Sequence, residues 1–148
     1  VSISEVLSYS LEEIEKEEYH NLIVIFEETH PFRSIMNIDK MIEEVVNKGL
    51  DTAVMVYDEK RLVWNSLNHK IVHSGKNLSK PRVLKKESTL INLTGIGCVT
   101  FAENIRNGNI YGNNVGLYPV NSPLSSIEIR DIKTFEQCFD MLEGWNYE

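Results

Sequence analysis

Three short stretches of the chain carry residue types that could do chemistry. The first, FEETHPFRSIMNID, runs from Phe26 to Asp39 and follows directly on the apolar run NLIVI. It sets Glu27, Glu28, Thr29, His30, Pro31 and Arg33 in a loop where a buried strand should end. In open α/β sheets ligands sit outside the carboxyl ends of the strands, so a polar loop at such a place is a candidate ligand wall as well as a candidate turn. The second stretch holds Glu128, Arg130 and Asp131. Two carboxylates reaching one crevice could hold magnesium, which prefers oxygen ligands and bridges to substrate phosphates. Spacing alone favours a plainer pair of roles, with Asp131 capping a helix and Glu128 solvated. The third stretch is basic and ends at Lys85 and Lys86. More than half of the 15 Lys and Arg fall between Lys60 and Lys86, in a chain of net charge -7. This suits either a solvated excursion or a basic lobe over an anion site.

Other familiar sites are missing. There is no GxxxxGK[ST] or GxGxxG phosphate loop, no HExxH, no CxxC and no GxSxG elbow. His69 and His73 are four apart, but Ser74-Gly75 and the surrounding polarity argue against the helix a zinc pair would need. Cys98 and Cys138 lie far apart and read as buried free thiols of a reducing compartment.

The elements that must position these groups follow from periodicity. Ser2 and Glu5 form a capping-box pair opening a helix to about Glu17, with Ile3, Val6, Leu7, Leu11 and Ile14 on one face. The acidic EEIEKEE run belongs to its solvated side. Leu22 to Phe26 reads as a strand buried on both faces. Asn37 is placed to cap a helix with Ile38, Met41, Ile42, Val45 and Val46 inward, stopped by Gly49. Thr52 to Tyr57 is a second buried strand, giving a βαβ unit with a right-handed crossover and parallel strands. Short strands are expected at KRLVW, at Ile96 to Phe101, at VGLYPV and at IEI, with a turn-rich Asn104 to Asn114. Asp131 caps a last helix whose inner face is Ile132, Phe135, Cys138, Phe139 and Leu142, closed by Gly144.

The 148 residues suit one domain or a large piece of one. No apolar run approaches the ~20 residues of a membrane helix, and no signal-peptide pattern opens the chain, so a cytoplasmic protein is expected. The acidic balance argues against non-specific nucleic-acid binding. The sequence starts at Val1, as a processed chain or a cut piece would.

In order and spacing these stretches resemble the acylneuraminate cytidylyltransferase family, the CMP-sugar synthetases. Glu27-Glu28-Thr29-His30-Pro31-Phe32-Arg33, followed by Ile38-Asp39, is similar to the family's Gln-Pro-Thr-Ser-Pro-Leu-Arg and its helix-opening Ile-Asp. Asp51 to Val56 is similar to its Asp-Ser strand. Lys85-Lys86-Glu87 and Ile96 to Thr100 resemble its Arg-Arg-Gln and Asn-Gly-Ala-Ile-Tyr. Gly112 to Val120 matches a Gly-x-x-Val-Gly-x-Tyr-x-Val segment, and Ile127 to Asp131 faces a terminal Ile-Asp-Ile-Asp-Thr.

The resemblance spans almost the whole chain. It implies a Rossmann-like nucleotide-diphospho-sugar transferase sheet that lacks its first strand and glycine-rich loop, with a basic or dimerising arm at about 59–88. It implies transfer of CMP from CTP to an acidic, sialic-acid-like sugar, with Mg²⁺ as cofactor, release of pyrophosphate and a homodimer. By the same resemblance Arg33 and Lys86 would be catalytic. Glu27, Thr29, Pro31 and Lys85 would bind substrate, and Glu128 and Asp131 would hold the metal. The departures are specific. Nothing here matches the family's Ala-Arg-Gly-Gly-Ser-Lys-Gly loop, so this chain alone is expected to be inactive. Glu27 replaces a glutamine that meets the sugar, the basic pair is lysine, and Arg130 stands where a second metal-binding acid is usual. The alternative expectation is therefore a non-catalytic cytidylyltransferase-like module for binding or dimerisation.

Overall fold

A computed structural model describes residues 1–68, 70–73, 89–120 and 122–142. The order is α1 (Ile3–Ile14), β1 (Leu22–Ile25), α2 (Met36–Lys48), β2 (Thr52–Glu59), β3 (Trp64–Leu67), β4 (Lys70–His73), β5 (Thr89–Asn92), β6 (Cys98–Phe101), α3 (Ala102–Arg106), β7 (Val115–Pro119), a 3-10 turn (Pro123–Ser126) and α4 (Ile132–Leu142). It is an α/β fold with a mixed sheet. Among the described residues no helix is long and apolar enough to cross a membrane.

The local signals act as their chemistry dictates. Ser2 and Glu5 close the capping box at the start of α1, and Gly49 ends α2 in the left-handed conformation at φ 66°. Asn37 does not cap α2. The helix starts at Met36, with Ile35 as N-cap and no side-chain hydrogen bond there.

The expected strand–helix–strand unit is present, but β1 and β2 are not neighbours. β6 lies between them and runs antiparallel to both. β7 pairs in parallel with the other edge of β2. β1, β2 and β7 therefore point the same way, and β1 pairs only with β6 among the described residues. Alternate residues of the strands face opposite layers. Ile25, Val54, Val56 and Cys98 pack with Leu11 of α1, and Ala53, Met55 and Val99 pack with Ile38, Met41 and Val45 of α2. Cys98 is wholly buried on the middle strand, and burial pushes its thiol up to about 12.

One irregularity shapes the ligand-facing end. β5 and β6 both pair with β2, meeting Val56 through Asn92 and Val54 through Cys98. Only Met55 lies between those two rungs, whereas the partner chain segment from Leu93 to Gly97 loops out. Met55 spans it by accepting from Leu93 N–H at 2.9 Å and donating to the Gly97 carbonyl at 3.0 Å. Insertions of this kind bend a strand and re-aim its residues.

Several expected elements differ. IEI is extended but unpaired as a strand, β6 starts at Cys98 rather than Ile96, and Ala102 to Arg106 is a short helix inside the turn-rich segment. The apolar faces of α1 and α4 are largely solvent-exposed. On α4 only Cys138 is buried, while Ile132, Phe135, Phe139 and Leu142 are exposed. The β3–β4 hairpin is exposed, with Trp64 edge-on to His73 at 5.2 Å. The rest of the basic excursion, 74–88, and Gly144 lie outside the described residues.

The opposite end of the sheet is held by a polar cluster. The Thr100 hydroxyl donates to the Ile110 carbonyl at 2.8 Å, which leaves Thr52 to donate to Thr100 at 3.0 Å. Thr52 in turn accepts from Gly112 N–H at 3.0 Å, and Asp51 accepts from Asn113 and Asn114 N–H. A Cβ on Gly112 would lie 2.3 Å from the Asp51 Cβ, whereas the one close contact of a Cβ on Gly97 would be the Ile38 side-chain tip at 2.4 Å. Gly112→Ala should therefore lower stability by about 1–3 kcal/mol, and Gly97→Ala by less. Urea midpoints measure both, and equal losses would show that the Asp51 corner yields as easily as a side-chain tip.

Candidate functional site

β1, β2 and β7 end on one side of the molecule, where three segments meet: the loop after β1, the Leu93–Gly97 insertion and the stretch from Ser122 to Asp131. Backbone hydrogen bonds sew them together. Glu27 N–H donates to the Gly95 carbonyl at 2.9 Å, and Ile129 N–H donates to the Thr29 carbonyl at 2.8 Å. The Ser125 hydroxyl donates to the Phe32 carbonyl at 3.0 Å, in the interior. Phe32 is fully buried and anchors the loop as an apolar plug, worth about 1.5–3 kcal/mol of burial.

Arg33 turns back into its own loop. Its Nε donates to the His30 carbonyl at 3.2 Å, its Nη2 donates to the Glu27 carbonyl, and its guanidinium lies 4.9 Å from the centre of the Phe26 ring. A planar fork with several donors is suited to this bracing. Burial holds the Arg33 pKa below its ordinary value, partly offset by Glu27 and Glu28.

His30 is 4% exposed. Its Nδ1 lies 3.3 Å from the Thr29 hydroxyl, and its Nε2 is buried with no partner among the described residues. Burial pushes its pKa below the usual histidine range. Glu128 and Glu27 pull it back up, and Arg33 and Arg130 press it further down. Those four charged side chains therefore lie within electrostatic reach of the imidazole. Gly95 completes the arrangement, because a Cβ there would stand 2.7 Å from Glu27 Oε2 and 2.8 Å from His30 Cε1. A side chain at 95 would push the tips of Glu27 and His30 aside, so their approach to one point depends on the glycine.

Of the residues singled out from sequence, Glu27, Thr29, Pro31, Arg33 and Glu128 share this end of the molecule, and Asp131 follows on the same segment. Glu128 accepts from Arg130 Nε at 2.8 Å and Nη2 at 2.6 Å through one oxygen, which raises the Arg130 pKa. Asp131 Oδ1 accepts from Thr134 N–H at 2.7 Å and its hydroxyl at 2.8 Å, and these bonds lower the carboxyl pKa. Asp131 is thus the helix cap that its position suggested. As arranged, the pair does not fit magnesium: one carboxylate is neutralised by a guanidinium and the other is committed to a helix end. Among the described residues no group of three or more His, Cys, Asp or Glu is placed to hold a metal ion. Lys85 and Lys86 lie outside the described residues.

Sequence reasoning did not single out His30, Gly95, Phe32 or Ser125 for the site. The signal for two of them was present: a histidine inside the polar loop, and a glycine breaking the approach to β6. Their meeting depends on the strand insertion, which no local pattern announces.

Compared with known proteins, the chain matches no family model, and no curated protein is significantly similar to it.

The neutral, buried state of His30 has a pH consequence. Below the ordinary value of about 6.5 the unfolded chain binds a proton that the folded chain resists, so stability falls as pH drops through about 6.5 toward the lower folded value. The carboxyls of Glu5, Glu15, Glu44 and Asp131 are also held low and lose their contributions as pH falls from the ordinary carboxylate range toward their lower folded values. Urea midpoints between about pH 7.5 and about pH 5 should therefore fall in the wild type and fall less in His30→Gln. Parallel slopes would contradict a buried neutral imidazole.

Proposed function

We propose that this is a cytidylyltransferase-like domain that handles a sugar and a cytidine nucleotide at the carboxyl ends of β1 and β7, transferring CMP from CTP to the sugar with release of pyrophosphate. One observation carries the reading. The stretch whose resemblance is to a substrate-binding motif, 27–33, and the stretch whose resemblance is to the metal-binding acids, 127–131, are joined by the Ile129–Thr29 hydrogen bond, although they are a hundred positions apart in the chain. Two motifs expected to line one crevice are supported as parts of one crevice when the fold makes them touch.

In this reading Thr29 and Pro31 form the sugar wall, and Arg33 holds the wall in shape rather than meeting the reacting atoms. Glu128 and Asp131 stand nearest the nucleotide side. Lys85 and Lys86 would supply positive charge, as the resemblance implies. The electrostatic requirement of the reaction is to neutralise charge that grows on the departing pyrophosphate while the sugar hydroxyl attacks in line.

A second reading has its own support. The Arg130–Glu128 pair puts a cation where a second acid would serve metal binding, which favours a non-catalytic binding or dimerising relative. Pyrophosphate release from CTP with magnesium and a panel of sugars separates the two. The transferase reading expects sugar-dependent release that falls at least about tenfold in Lys86→Ala, as loss of a charge-stabilising group should cause. Nucleotide binding without release under any sugar would favour the second reading, and absence of nucleotide binding would overturn the first.

A further inference from the structure

We infer that Glu27 and His30, packed against Gly95, form a subsite for a protonated amine, so that the sugar taken by this crevice is an amino sugar rather than a carboxylate-bearing one. The inference rests on the sugar-handling reading above and names the chemistry of its ligand.

Three observations converge. First, the Glu27 side chain is half-buried, and its carboxylate accepts no hydrogen bond among the described residues. Second, the His30 edge carrying Cε1 faces the same point over Gly95 as Glu27 Oε2, and the adjacent Nε2 is buried without a partner. In the tautomer whose Nδ1–H donates to the Thr29 hydroxyl, the neutral ring leaves Nε2 as an acceptor. Third, the cations nearby are already engaged. Arg130 is paired with Glu128, and Arg33 donates to two carbonyls and forms no salt bridge to Glu27 or Glu28 among the described residues, so three carboxylates here face two guanidinium groups. A ligand carboxylate entering here meets like charge. An ammonium group brings three donors and a positive charge, and it supplies what a partly desolvated carboxylate and an unpartnered imidazole nitrogen lack.

The test is binding, read at the imidazole itself. The isotopically labelled full chain is titrated with glucosamine, N-acetylglucosamine and glucuronate at neutral pH, following the His30 Cε1–H resonance, which the His30→Gln variant assigns. A saturable shift is expected with glucosamine, at an affinity at least about tenfold above the other two sugars, as removal or reversal of one charge contact should give. Glu27→Gln should bring the ratio close to one while the thermal unfolding profile is retained. If that variant fails to fold, the wild-type preference among the three sugars still decides. No saturable shift up to about 10 mM glucosamine, a binding range just weaker than millimolar, overturns the subsite, as does equal or tighter binding of glucuronate. The two proposals fail separately. Glucosamine binding with no pyrophosphate release from CTP would remove the transferase reading alone, and release only with carboxylate-bearing sugars would remove the amine subsite alone.

Discussion

The candidate site depends on a mismatch in strand length. One residue of β2, Met55, stands opposite the whole segment from Leu93 to Gly97, and both of its backbone groups are used to bridge the excess. The surplus chain has to leave the sheet. It leaves toward the carboxyl end of β1, where the Gly95 carbonyl receives Glu27 N–H and the bare Gly95 Cα admits Glu27 and His30. A regular pairing of β5 and β6 with β2 would take the Leu93–Gly97 segment away from this end of the sheet and leave Glu27 N–H without its Gly95 acceptor. The insertion is therefore a positioning device rather than a defect in the ladder.

Charge within the site is largely consumed by the site. Arg33 closes its own loop, Arg130 closes on Glu128, and Asp131 closes the first turn of α4. This internal pairing leaves an arrangement with more carboxylates than guanidinium groups around one buried histidine. Burial outweighs the two nearby glutamates in setting the state of that histidine, because removing an imidazolium from water costs more than carboxylates partly screened by arginines return. The same bookkeeping at the α1–α3 contact has the opposite sign. There Arg106 meets Glu15, Glu103 and the Tyr19 ring near the surface, and its charge is reinforced.

What could be read from the sequence was what local chemistry decides. The capping box at Ser2, the left-handed stop at Gly49, the Asp131 cap and the buried run of β2 all depend on residues within a few positions of each other. The order of strands could not be read this way, because β6 enters between β1 and β2 through pairings about fifty and eighty positions distant. The inward faces expected for α1 and α4 are covered only at Leu7 and Leu11 and at Cys138, for a non-local reason. Periodicity identifies an apolar stripe but says nothing about whether another layer lies over it. Arg33 was picked as a functional side chain by its motif. Its composition could not reveal whether a long guanidinium would reach out to a ligand or fold back to a carbonyl.

Cys98 gives the middle strand a further property. Its thiol is wholly buried, packed with Leu11 of α1 and Ala102 and Ile105 of α3, and raised far from the range in which thiolates form at neutral pH. Oxidants and alkylating agents thus meet an unreactive sulfur for as long as α1 and α3 cover this face of the sheet. Once that cover lifts, the same atom becomes an ordinary cysteine. The sheet carries, at its centre, a built-in chemical counter of these opening events.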